Sequence, residues 1–228
     1  MTTIRPFELS AFNWDDHFVW SHDGNKCLGA CALMAIRYWG TEISDSDCKR
    51  ILDDVSVPAF EGPNPRQIVK VIEEVVGMSE EIEPSSLDTK LDDFITTGTL
   101  TSAPAAHDQK TFKVDFFHAR GLNSLESAFR IDPHIPQIVI YDDVMASYHE
   151  ESPGGHAALV HTLDFDTRFI YLIDPNAQAR RGSPIYYTFD DFERGWKSFE
   201  QSTVIIYPTQ ILKSVRSSVS ASNLGGST

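Results

Sequence analysis

Cysteine is scarce in this chain. Three residues, Cys27, Cys31 and Cys48, serve 228 positions, and an odd, low count of that kind is no disulfide framework. Basic residues are also few. Nineteen Lys and Arg stand against 33 Asp and Glu, which gives a net charge of −14 and a pI of about 4.8. That balance argues against nucleic acid or an anionic membrane as the main partner. No run reaches the ~18 apolar residues of a membrane span. The opening "MTTIRPFELSAFNWDD" has no basic stretch followed by an apolar one, so no signal peptide is read. A cytoplasmic chain with reduced thiols is the expectation. No internal repeat is found. No cofactor is expected, and no metal either, because Cys27 and Cys31 lack a matching second pair of ligands.

What is present suits a globular protein. Apolar residues make up 41% and charged residues 23%, enough to bury a core without staples. Residues 28–39 form an apolar helical run stopped by Gly40. "SDSDCKRILDD" predicts a second, amphipathic helix with Ser44 or Asp45 as N-cap. "GPNPRQIVKVIEEVVGM" predicts a third, with Pro65 near its first turn and Ile68, Val71, Ile72, Val75 and Val76 on one face. A polar stretch around residues 79–109 then leads into a β-rich half. Strands are expected at "TFKVDFFHA", "IPQIVIYDDV" and "QSTVIIYP", a helix at "GLNSLESAFRI", and a strand followed by a short helix in "SPIYYTFDDFERGWKSF". "GGHAALVHTLDFDTRFIYLIDP" reads as a β-hairpin, with strands at 157–163 and 169–173. Helices first and antiparallel strands second make an α+β fold, with a cleft between the helical and sheet lobes as the place for chemistry. One domain is expected over residues 1–208. Residues 209–228, Ser/Gly-rich and carrying Leu224-Gly225-Gly226, form a tail.

Three residues stand out. Cys27 opens the first long helix. The free N–H groups and dipole of that end favour a negative charge, which a nucleophilic thiol needs, and the same N–H groups can hold an oxyanion. His156 follows Gly154 and Gly155 at a strand start, where an imidazole can act as base and then acid. Asp174 ends the partner strand. An antiparallel hairpin makes it a neighbour of His156, able to orient the ring. Each alone has an ordinary explanation: a core cysteine, a loop histidine, an Asp-Pro turn. Together they make the papain-type layout. Asp142, Asp143 and residues 149–152 form an acidic rim before the histidine, read chiefly as a solvated loop. His161, at odd spacing from His156, is expected on the opposite strand face as a packing or surface residue.

The segment "KCLGACALMAIRYWG" resembles the nucleophile segment of the bacteriocin-processing, double-glycine-leader peptidases of the papain-like clan. Cys27, Ala30, Cys31, Met34, Tyr38 and Gly40 fall in matching places. The hairpin ending in Asp-Pro and the "FDDFERGW" that follows resemble that family's histidine strand, aspartate strand and next helix. The resemblance covers about residues 27–208 and implies a papain-like fold. It implies Cys27 as nucleophile, His156 as base, Asp174 as orienter, and Cys31 as a core residue. It implies a peptide or protein substrate and cleavage of a peptide or isopeptide bond through a thioester, within a stand-alone domain. A non-catalytic binding protein of the same fold and a transglutaminase-like acyl transferase are the alternatives. The chain departs from the family at two places near the thiol. Leu28 follows Cys27 where glycine is usual, with Gly29 one step later. Ser21 stands where the family has an oxyanion-donating glutamine, and no glutamine occurs before Cys27. Asn25, His22 and Gly155 are candidates for oxyanion or substrate binding. The spacing from Cys27 to His156 implies an insertion within residues 79–109.

Overall fold

The computed structural model describes residues 6–21, 26–55, 64–76, 112–148, 155–176 and 182–208. After a short strand β1 (Phe7–Glu8) and a single helical turn α1 (Trp14–His17) come three helices: α2 (Cys27–Tyr38), α3 (Asp45–Asp54) and α4 (Pro65–Val76). The second half holds β2 (Phe112–His118), α5 (Leu122–Ile131), β3 (Gln137–Asp142), α6 (Asp143–Tyr148), β4 (Gly155–Asp164), β5 (Phe169–Ile173), β6 (Ile185–Thr188), α7 (Phe189–Lys197) and β7 (Ser202–Pro208). The fold is α+β, with the N-terminal helices packed on an antiparallel sheet.

Local chemistry explains the helix starts. Ser44 caps α3 by accepting from the Asp47 N–H, and Thr188 caps α7 by accepting from the Asp191 N–H. The N-cap of helix α2, Lys26, makes no side-chain cap bond, so this residue does not occupy the first N–H groups of the helix. Residues Cys27 to Ile36 are all buried. A helix hydrophobic on every face belongs inside the molecule, and α2 lies against α3, α4, β4, β7 and β3.

Its small residues set how closely it packs. A Cβ on Gly29 would stand 2.8 Å from the Ile51 carbonyl oxygen and 3.1 Å from the Leu52 Cα, so α3 crosses α2 where only glycine fits. Leu28 is buried at 1% exposure. The glycine of this turn is therefore spent on the helix crossing, and the residue after Cys27 on the core. Gly195 plays the same part in α7, where a Cβ would run into the Asp142 carbonyl oxygen.

The described strands form one antiparallel sheet in the order β2-β7-β3-β4-β5-β6, with β1 added beside the far end of β4. The first 21 residues, without any clear period in sequence, thus contribute a strand pair, because Phe7 and Glu8 find Leu163 and Thr162. All six residues of β3 are buried, so both sheet faces are covered there. Trp39 ties the end of α2 to β7 through its Nε1–H, which donates to the Ile206 carbonyl at 2.9 Å.

Two expectations need correction. Asp142 is no rim residue: it ends β3 at 1% exposure, because β3 runs to the carboxylate and α6 begins at the next residue. The strand-parity argument for His161 also fails in detail. The β4–β5 register shifts between Val160 and Thr162, and such a bulge breaks the two-residue alternation. His161 packs all the same, with its ring stacked on Trp14 at 6.4 Å and its Nδ1 2.7 Å from the Thr162 hydroxyl.

The stretch at 79–109, the acidic residues at 149–152 and the tail from 209, with its Leu224-Gly225-Gly226, lie outside the described residues. Among the described residues no helix is long and apolar enough to cross a membrane.

Candidate active site

The site is built from the start of α2 and the hairpin β4–β5. Cys31 sits one helical turn after Cys27 and is fully buried. Its thiol donates to the Ala157 carbonyl at 3.4 Å. Ala157 follows His156 in β4, so this contact holds the first turns of α2 against the start of that strand. Burial first, then the nearby Cys27 and Asp174, push the Cys31 thiol well above its ordinary range. It is a neutral packing group.

His156 is the second residue of β4. It pairs with Tyr141 of β3, as Gly155 pairs with Asp142. Its Nε2 lies 2.8 Å from Asp174 Oδ1. With Nε2 engaged by the carboxylate, Nδ1 is the nitrogen left for another partner. Only 6% of the imidazole is exposed. Burial by itself would lower its pKa; the hydrogen bond it donates to Asp174, and then the nearby Cys27, outweigh that and hold it well above the usual histidine value. The ring is thus held toward its protonated form beside the Asp174 carboxylate. The Tyr141 ring meets it edge-on at 5.7 Å, with Phe192 and Tyr187 packed behind. Burial pushes the Tyr141 phenol far above its normal range, so it stays neutral there.

Asp174 follows β5. The ladder pairs Leu159 with Ile173, which sets the next residue, Asp174, beside the start of β4. Its Oδ1 accepts a second hydrogen bond from the Asn176 backbone N–H at 2.8 Å. The turn is clasped from the N-terminal segment. The Ser21 N–H donates to the Pro175 carbonyl at 3.0 Å, and the Ser21 hydroxyl donates to Asn176 Oδ1. Ser21 is buried at 2% exposure.

Of the sequence-derived trio, His156 and Asp174 are hydrogen-bonded, and Cys27 opens the helix whose Cys31 contacts Ala157, the residue after His156. Gly155 lies beside it as the strand neighbour of His156. Asn25 and His22 lie outside the described residues. Cys48 is half-buried on α3, with its thiol 3.9 Å from the Ile43 carbonyl. Sequence reasoning missed Tyr141, Ser21 and Asn176. The register of β3 against β4 reveals Tyr141, and no sequence period does. Ser21 was visible only as the residue standing where glutamine was expected. Asn176 was hidden in an ordinary Asp-Pro-Asn turn. Among the described residues, no group of three His, Cys, Asp or Glu side chains is arranged to hold a metal ion.

No family model matches the chain, and no curated protein matches it by sequence. The fold does have a relative among solved structures. It is similar to the crystal structure of a Bacillus anthracis protein described as a C39-like peptidase, with a TM-score of 0.53 and 11% identity. The match covers 90% of this chain and 98% of that one. The C39 peptidases are the bacteriocin-processing peptidases whose motifs the sequence resembles, so sequence pattern and fold point the same way. At 11% identity the likeness concerns architecture.

Proposed function

We propose that this protein is a cysteine-dependent hydrolase of peptide or isopeptide bonds. Cys27 is the nucleophile, His156 the base and then the acid, and Asp174 the group that orients the imidazole. The thiolate attacks the scissile carbonyl carbon and the carbonyl electron pair moves to oxygen. The tetrahedral adduct collapses to a thioester as the imidazolium protonates the departing amine. Water, deprotonated by His156, then hydrolyses the thioester and regenerates the thiol. The Cys27 backbone N–H at the start of α2 donates to the oxyanion, together with a side-chain donor. The substrate class is a peptide or protein, and the catalytic unit is residues 1–208.

One observation carries this reading: the buried His156 imidazole lies 2.8 Å from Asp174 Oδ1, in the strand whose next residue, Ala157, receives the Cys31 thiol one helical turn after Cys27. The fold likeness to a C39-like peptidase supports it. The test is alkylation by iodoacetamide with mass mapping of the modified peptide, alongside hydrolysis of a protein-derived peptide mixture. Cys27 is expected to be labelled well ahead of Cys48, and Cys27→Ala to abolish cleavage. A Cys27 no more reactive than Cys48, with cleavage unchanged in Cys27→Ala, overturns the reading.

Ser21 in place of a donor-bearing glutamine favours a second reading, a peptide-binding member of the fold without turnover. Peptide binding with no thioester and no product would establish it. A transferase of the same acyl-enzyme would show itself by product formed with an added amine.

A further inference from the structure

Acyl transfer at Cys27 develops a negative charge on the carbonyl oxygen, and one backbone N–H at a helix start leaves that charge half satisfied. Acyl-transfer sites commonly supply a second, preorganised donor. Asn176 carries a primary amide two residues beyond Asp174. Its backbone N–H is bound to Asp174 Oδ1, and its side-chain Oδ1 accepts from the Ser21 hydroxyl. The second bond decides the orientation of the amide. Ser21 is buried while Asn176 is exposed, so the oxygen of the amide is turned inward and Nδ2 is turned outward. Nδ2 donates to no group among the described residues. Asp174 Oδ1 lies 2.8 Å from His156 Nε2, and the next residue of that strand, Ala157, accepts from the Cys31 thiol at 3.4 Å, which sets the 174–176 turn near the first turns of α2.

We infer that the Asn176 side-chain amide is the second oxyanion donor of this site, with Ser21 as the residue that positions it. The inference rests on the acyl-transfer reading above and names the group that completes it. Asn176 touches the reacting oxygen. Ser21 acts through Asn176, and its buried hydroxyl is consumed in holding Oδ1.

Two reagents separate the steps. Iodoacetamide alkylates a thiolate by displacing iodide from carbon, with no oxyanion formed. p-Nitrophenyl acetate acylates the same sulfur through a tetrahedral oxyanion. The C–S bond forms, the carbonyl pair moves to oxygen and returns, p-nitrophenolate leaves, and water later releases acetate. Both rates are measured at Cys27 in the full chain.

Asn176→Ala is expected to slow acylation by about 10²-fold while leaving alkylation within about two-fold. Asn176→Asp keeps an acceptor for Ser21, removes the donor, and is expected to slow acylation at least as much. Ser21→Ala frees the amide to rotate and is expected to slow acylation by about 10-fold, again with alkylation unchanged. Unchanged acylation in Asn176→Ala overturns the inference and leaves the triad standing. A parallel loss of both rates also overturns it, because Asn176 would then act only by holding Asp174. An unreactive Cys27 in the unsubstituted chain removes the thiol reading itself and this inference with it.

Discussion

The Cys31 thiol donates to the carbonyl of Ala157 across 3.4 Å, and this contact fixes how α2 sits against β4. Cys27 lies one turn before the donor and His156 one residue before the acceptor. Cys27 and His156, the proposed nucleophile and base, are thereby brought to the same level by a buried packing residue. Cys31 is expected to resist iodoacetamide in the folded protein and to react only after unfolding. Cys31→Ala is expected to cost about 1–3 kcal/mol, from lost packing and the lost hydrogen bond. Cys31→Leu overfills the site and is expected to slow Cys27 alkylation as well. Urea midpoints and labelling rates check both.

The protonation of His156 makes stability depend on pH in a definite sense. Its folded pKa is raised, so the folded state binds the proton more tightly than the unfolded chain, whose histidine titrates near ~6.5. The contribution is full below about pH 6.5 and is lost as pH rises through the folded value. His17 and His161 are lowered, chiefly by burial, and act in the opposite sense at lower pH. The comparison that isolates His156 is therefore the urea midpoint against pH for the unsubstituted chain and for His156→Ala. The variant is expected to lose the decline above pH 6.5.

Asp174→Asn keeps the shape of the side chain and removes its charge. The imidazolium then loses a charge-assisted partner, which is worth about 1.5–3 kcal/mol. Cys27 alkylation near neutral pH is expected to slow by about 10- to 100-fold, with the fold retained in circular dichroism. An alkylation rate equal to that of the unsubstituted protein would remove Asp174 from its orienting role.

Gly29 tests the reason for the altered residue after the nucleophile. Gly29→Ala puts a methyl 2.8 Å from the Ile51 carbonyl oxygen and is expected to destabilise by about 1–3 kcal/mol. Leu28→Ala opens a cavity under the same turn and is expected to cost about 2–5 kcal/mol. Denaturant titration of each variant reads these directly, and a neutral Gly29→Ala would mean that α3 yields at the crossing.

Sequence alone determined the elements and much of the candidate trio. A helix apolar on every side, amphipathic helices after it and short β-branched runs bounded by turns are local patterns, and α2, α3, α4, β3, β5 and β7 follow from them. The hairpin pattern placed Asp174 beside His156 because antiparallel pairing is itself a local rule. What tertiary structure decided is everything that depends on contact between distant segments. Burial of Asp142, the Tyr141 ring against His156 and the β1 pairing arise from strand register, which no periodicity encodes. The Ser21–Asn176 clasp joins residues 155 positions apart. In sequence one end of it was a missing glutamine and the other an ordinary turn, because a hydrogen bond between remote loops leaves no period to read.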